Sequence, residues 1–245
     1  MDARTATTVL IRKLESIADL SDKEKAALFR LPMQIKSIGA DQDIVRDGDR
    51  PTQCCLLLEG FAFRYKVTPE GKRQIHSFHI PGDMPDLQSL HLRVMDHSLG
   101  TLTASKVAFI PHESLYEICE QHAGLTAVFW RDSLIDAAVF REWITNVGRR
   151  TAYQRIAHLL CETLARLRAV GATNGNTFDL PITQAELGDA TGLSTVHVNR
   201  TLQELRAAGL ITMRDGSVTV RDWEGLQAAG EFDPLYLHLK HAHAA

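Results

Sequence analysis

Residues 182–221 read ITQAELGDATGLSTVHVNRTLQELRAAGLITMRDGSVTVR, and the punctuation of this stretch decides the fold. Thr183 followed three places later by Glu186 is a capping box, so a helix starts at Thr183. Ala190-Thr191-Gly192 ends it, with Gly192 suited to the positive φ that follows a helix. Ser194 caps a second helix that runs to about Ala208. Beyond Gly209, Leu210–Met213 and Val218–Val220 flank Arg214-Asp215-Gly216-Ser217, an Asp-Gly hairpin turn. A short helix, a glycine turn, a second helix and a hairpin make a winged helix-turn-helix.

The second helix separates into two faces at about 100° per residue. Val198, Leu202 and Leu205 fall in a narrow arc and point to the core, and Val196, Asn199, Arg200 and Gln203 lie opposite. Arg200 can address guanine with two donors, Asn199 or Gln203 can address adenine, and Val196 suits a thymine methyl. Thr183, Ser194, Thr195 and His197 flank that face and are placed for phosphates. Arg214 at the hairpin tip is a candidate wing contact. The segment is read as an element that binds double-stranded DNA through the major groove.

Upstream, residues 149–169 hold Ile156, Leu159, Leu160, Thr163, Leu164 and Leu167 on one helical stripe. GATNGNTF, at 171–178, follows as a flexible or turn-forming stretch. Residues 113–147 contain no proline, which predicts one long helix. Its stripe of Leu125, Val128, Phe129, Ile135, Val139, Trp143 and Val147 faces either a second copy of the chain or its own sheet. From Ile35 to Pro111 the texture is that of strands. Turn signals recur at Asp47-Gly48-Asp49, Glu59-Gly60, Pro69-Glu70-Gly71 and Pro81-Gly82-Asp83. Cys54–Leu58 is a continuous apolar run, as in a strand covered on both faces, and Phe61, Phe63, Tyr65 and Val67 alternate as if one face were buried. Ser21 and Glu24 mark one more helix start.

Composition sets outer bounds. With 44% hydrophobic and 23% charged residues, the 245-residue chain is that of an ordinary globular protein. The net charge of −3 falls on residues 1–147 and residues 148–245 are neutral, so global charge announces no partner. No apolar run nears the ~18 residues of a membrane span, and no export signal stands at the start, so a cytoplasmic protein is expected. Four cysteines make no disulfide framework.

Three stretches carry a resemblance. ITQAELGDATGLSTVHVNRTLQELRAAGLI, RRTAYQRIAHLLCETLARL and IVRDGDRPTQCCLLLEGFAFRYKVTPEGKRQIHSFHIPGD resemble, in turn, the DNA-binding signature, the helix opening the C-terminal domain, and the effector-domain roll of the Crp/Fnr family of bacterial transcription regulators. The resemblance implies an α+β chain. A cyclic-nucleotide-binding-like antiparallel β-roll (a jelly roll) with an N-terminal helix would span 1–117, a dimerisation helix 118–147, and a winged helix-turn-helix domain 148–245. It also implies a homodimer on a two-fold symmetric operator and contact with RNA polymerase.

The departures bear on the ligand. Cyclic-AMP-binding members follow the Pro-Gly-Asp turn with a Gly-Glu pair and, about ten residues later, an Arg-Ser pair. Here Met84-Pro85-Asp86-Leu87 follows the turn, His97-Ser98 stands near the arginine's place, and Arg93 is shifted. Asp86, Leu87, Arg93, His97 and Ser98 are therefore carried as effector-pocket candidates, while cAMP itself is not expected, because the charge complement is missing. An iron–sulfur cluster is not expected either, since no cysteine precedes Cys54, and Cys54 and Cys55 point to opposite faces of a strand. Haem on His76, His91 or His97 is set behind ordinary surface roles. His238, His241 and His243 could chelate a metal adventitiously. Many family members carry glutamate where Val196 stands, whereas Arg200 matches the family's arginine. The rival class is a cupin-like, metal- or small-molecule-binding β-roll enzyme with an appended helical domain, but His76 and His79 are poorly spaced for it. No catalytic motif is present, and no enzyme is expected.

Overall fold

The structure is a computed structural model and describes residues 1–240. The chain forms two compact units. One comprises Met1–Lys66, Ser77–Ala137 and residues 239–240, and the other comprises Val67–His76 and Ala138–His238. The long helix contributes to both, which places the division inside it rather than at either of its ends.

In the first unit, β1 (Gln34–Ile38), β7 (Ser105–Pro111) and β3 (Gln53–Glu59) form one antiparallel sheet in the order β1-β7-β3. A second sheet has the order β2-β6-β4-β5, from β2 (Asp43–Val45), β6 (Ser98–Thr101), β4 (Ala62–Val67) and β5 (Arg73–His79). β3 is covered on both faces. Cys55 and Leu57 pack with Ala62, Leu99 and Val107, whereas Cys54, Leu56 and Leu58 pack with Leu10, Leu28, Leu115 and Leu125 from helices. The two adjacent thiols thus lie in separate cores. Each such leucine contributes on the order of 1.5–3 kcal/mol through burial.

The alternation along β4 is interrupted. Phe61 and Phe63 are buried, but Val67 is exposed, and Arg64 on the opposite face is buried. The Arg64 Nε donates to the Pro85 carbonyl at 2.7 Å and Nη1 contacts Asp136 at 2.6 Å, so the charge enters the interior with its partners.

The helices are α1 (Ala3–Glu15), α2 (Asp22–Leu28), α3 (His112–Gln121), α4 (Ala123–Arg149), α5 (Ala152–Ala169), α6 (Gln184–Thr191), α7 (Thr195–Ala207) and α8 (Trp223–Gly230). α2 starts at the expected capping box on Ser21 and Glu24. The single helix expected over 113–147 is two, because His122 leaves helical geometry at φ −134 and ψ 86. Just beyond, Gly124 lets the Glu24 carboxylate sit where a Cβ would collide.

The apolar stripe of α4 packs on its own chain. Leu125, Val128 and Phe129 join the helical core of the first unit, and Ile135, Val139 and Trp143 are buried as well. The reading of that stripe as a surface for a second copy is thereby corrected. Another series, Trp130, Leu134, Ala137, Arg141, Ile144 and Gly148, repeats at spacings of four and three on the opposite side of the helix. Trp130, Leu134 and Ile144 are 68%, 55% and 73% exposed.

In the second unit, β9 (Ile211–Arg214) and β10 (Ser217–Val220) form the expected hairpin. Asp215 and Gly216 take φ of 50° and 79°, as a tight hairpin turn requires. β8 (Thr177–Asp179) adds a third strand beside β10. It lies at the end of the stretch expected to be a flexible turn.

Candidate nucleic-acid interface

The helix-turn-helix is built on glycine geometry. Thr183 caps α6 through a complete capping box: its N–H donates to Glu186 at 2.7 Å and its hydroxyl accepts from the Glu186 N–H at 3.2 Å. A Cβ on Gly188 would stand 2.5 Å from the Leu193 carbonyl oxygen, so only glycine admits the turn against α6. Gly192 closes α6 at φ 67°, with its N–H donating to the Gly188 carbonyl. Arg155 on α5 donates to the Thr191 carbonyl at 2.8 Å, satisfying one of the acceptors left open at the end of α6.

α7 presents the two faces read from the sequence. Val198, Thr201, Leu202 and Leu205 are buried. Val196 is 78% exposed, Arg200 and Gln203 are exposed, and Asn199 is half-buried. Thr195 and His197 are exposed in the first turn. Ser194 accepts from the His197 N–H at 3.3 Å, which leaves its own hydroxyl proton to donate. The Thr183 hydroxyl differs, since it donates to Glu186 at 2.8 Å and would have to release that bond to reach a phosphate. Arg214 is exposed at the hairpin, 3.4 Å from Asp215. Arg200 lies 3.6 Å from Glu204 on the same exposed face. The Asn199 side-chain amide donates to Gln184 Oε1 at 3.2 Å, a contact the sequence reading did not include. Its only signal was that Gln184 follows directly on the helix cap.

Residues 154–229 match the Crp-like helix-turn-helix domain, and residues 35–122 match the cyclic nucleotide-binding domain. The chain belongs to the Crp/Fnr family. It is a DNA-binding transcription regulator. It is 26% identical to the transcriptional activator protein FnrA of Stutzerimonas stutzeri, over 85% of each chain. It is 28% identical to the transcriptional activator protein FnrL of Cereibacter sphaeroides, over 78% of each chain. Among solved structures it resembles FixK2 from Bradyrhizobium japonicum, with a TM-score of 0.75 and 22% identity over 81% of this chain and 98% of that one. The rival reading as a metal-binding roll enzyme finds no support in these relatives.

The roll of this Crp/Fnr protein does not gather the effector-pocket candidates at one surface. Asp86 is buried, and one carboxylate oxygen accepts from the Cys55 N–H at 2.7 Å while the other has no hydrogen-bond partner. Desolvation pushes its pKa up to about 6. Leu87 is buried in the helical core. His97 pairs with Asp96 at 2.6 Å, Ser98 accepts from the Asp47 N–H at 3.1 Å, and Arg93 is exposed. A buried polar chain runs nearby. Lys13 contacts Asp83 at 2.9 Å, Asp83 lies 3.5 Å from His79, and His79 bonds Ser77 at 2.9 Å. Burial, reinforced by the Arg64 charge, lowers the His79 pKa to about 4 and keeps the ring neutral. Among the described residues, no group of three or more His, Cys, Asp or Glu is placed to hold a metal ion. His238 ends a short 3-10 turn, and His241 and His243 lie outside the described residues.

A cavity of about 510 Å³ opens in the second unit between Ile75, Phe140, Trp143, Ile144, Val147 and Ala190. It shares no residue with the effector candidates. Beside it, Arg73 of β5 pairs with Asp189 of α6 at 2.8 Å.

Proposed function

We propose that this Crp/Fnr protein is a homodimeric, sequence-specific regulator that reads a two-fold symmetric operator through α7. One observation carries the reading: the side of α7 opposite its buried leucines presents Val196, Arg200 and Gln203 exposed, with Asn199 half-buried among them. Arg200 addresses guanine, Asn199 or Gln203 adenine, and Val196 a thymine methyl. Ser194, Thr195, His197 and the amides at the start of α7 hold phosphates, with Thr183 and Arg214 at the edges.

The exposed series from Trp130 to Gly148 supports dimerisation, because its spacing is that of a two-helix seam. Two recognition helices must then sit roughly 34 Å apart to enter successive major grooves. The segment 1–117 is the sensing domain, 118–147 the dimerisation segment, whose helix is α4, and 148–245 the DNA-binding domain. An effector of a class other than cAMP would act by shifting the spacing of the recognition helices. The protein works in the cytoplasm with RNA polymerase and has no catalytic role of its own. Among the described residues no helix is long and apolar enough to cross a membrane.

The test is a gel shift with random duplex pools at low and high salt. Retention of a selected sequence, weakening steeply with salt, is expected. Equal retention of all duplexes, or none at any salt, overturns the reading.

A further inference from the structure

We propose that Gln184 sets base specificity from outside the recognition helix, by holding the Asn199 amide in the one orientation that reads adenine. The proposal rests on the DNA-reading face described above and names its preferred base at one position.

An unrestrained asparagine amide is ambiguous. Half a turn about its last torsion exchanges donor and acceptor, so it can give one N–H to thymine O4 or accept one from cytosine N4. A locked amide that offers its oxygen and one N–H side by side matches the major-groove edge of adenine, an N6 donor beside an N7 acceptor.

The structure supplies the lock. The Asn199 Nδ2 donates to Gln184 Oε1 at 3.2 Å. This takes one of its two N–H bonds and leaves the oxygen and the other N–H for the groove. Gln184 is the first residue of α6, directly after the Thr183 capping box, so its backbone is pinned. The close approach at Gly188 and the left-handed Gly192 fix the distance from α6 to α7. Both side chains are half-buried, which shields the bond from competing water while the rest of the Asn199 amide stays reachable. The ordering cost is met in the free protein, so it does not fall on binding.

The test uses the full-length protein and a duplex pool with a randomised centre, scoring base frequencies at each selected position. Gln184→Leu keeps side-chain bulk and removes the acceptor. It is expected to cut the preference for adenine at one symmetric pair of positions roughly fivefold or more, leaving the guanine facing Arg200 unchanged. Gln184→Glu keeps an acceptor oxygen and adds a negative charge near the phosphates. It is expected to keep the adenine preference while weakening all duplexes alike. In an Asn199→Ala background, Gln184→Leu should have no further effect on base frequencies. Thermal unfolding of each variant checks that α6 and α7 remain packed.

The proposal is overturned if Gln184→Leu leaves the frequencies unchanged, lowers binding to every duplex equally, or acts independently of Asn199. If Asn199→Ala and Arg200→Ala also leave the selected sequence unaltered, the reading face fails and the tether falls with it. If Arg200→Ala removes the guanine while Gln184→Leu changes nothing, the tether alone fails.

Discussion

The indole N–H of Trp143 donates to both carboxylate oxygens of Glu162, each at 3.1 Å. Glu162 is 1% exposed and also accepts from the Tyr236 hydroxyl at 2.6 Å. One buried carboxylate therefore ties the end of α4 to α5 and to the turn at Pro234–Leu237. Beside it, Glu142 contacts Arg150 at 2.7 Å, and His158 bonds the Gly230 carbonyl at 3.1 Å. Glu162→Ala would remove the acceptor shared by the Trp143 indole N–H and the Tyr236 hydroxyl, at a cost of about 1–3 kcal/mol for each bond lost. We expect a loss of roughly 3 kcal/mol in denaturant unfolding and strong coupling with Trp143→Phe in a double-mutant cycle. Additive effects would show that the carboxylate is not shared.

Ile144→Glu places a charge in the exposed series of α4, between Arg141 and Gly148. The side chain is 73% exposed at the rim of the apolar cavity, so the second unit should stay folded. Sedimentation should show a monomer, where a dimer is expected for the parent chain. Trp143→Glu, on the buried side of the helix, should instead unfold the unit. A dimer that survives Ile144→Glu would move the interface elsewhere.

Val196→Glu changes which base is read without disturbing the core, because Val196 touches none of the buried face of α7. A carboxylate accepts from cytosine N4, so selected sites should gain cytosine at the position that valine reads. Arg200→Ala should lose roughly 1–3 kcal/mol on the preferred duplex and much less on random DNA. An unchanged site for Val196→Glu would place that residue outside the groove.

Gly188→Ala is expected to destabilise the second unit by about 1–3 kcal/mol, since the added methyl meets the Leu193 carbonyl. Thermal unfolding against the parent chain checks this, and an equal midpoint would show that the turn can relax.

Asp86 gives the roll a pH signature. Its pKa rises from 3.8 in the unfolded chain to about 6 when buried, so the folded state resists ionisation. Stability contributed by the neutral acid is present at low pH and lost as pH climbs through about 6. Asp86→Asn removes that dependence. Relative to the parent, it should gain up to about 3 kcal/mol between pH 4 and 7. A difference that stays flat across this range would mean that Asp86 is solvated.

The helix-turn-helix was legible because its signals are local. A capping box, a left-handed glycine, a serine cap and an Asp-Gly turn act over three or four residues and need no partner element. The outward face of α7 followed from helical periodicity alone. α1 was not foreseen, although Asp2 caps it and Leu10 and Leu14 seat it in the core. β8 was not foreseen either, because three residues, Thr177–Asp179, carry too little alternation to stand out from a turn.

Sequence alone determined the helix-turn-helix, its hairpin and the outward face of the recognition helix, since each rests on contacts between near neighbours in the chain. Tertiary structure decided which stripe of α4 is spent on its own core and which remains exposed. It buried Arg64 against Asp136 and turned Asp86 inward, onto the Cys55 N–H. It also brought Gln184 within reach of Asn199. Those outcomes join residues far apart in the chain, and the free energy of pairing or burying a charge depends on what the fold places beside it.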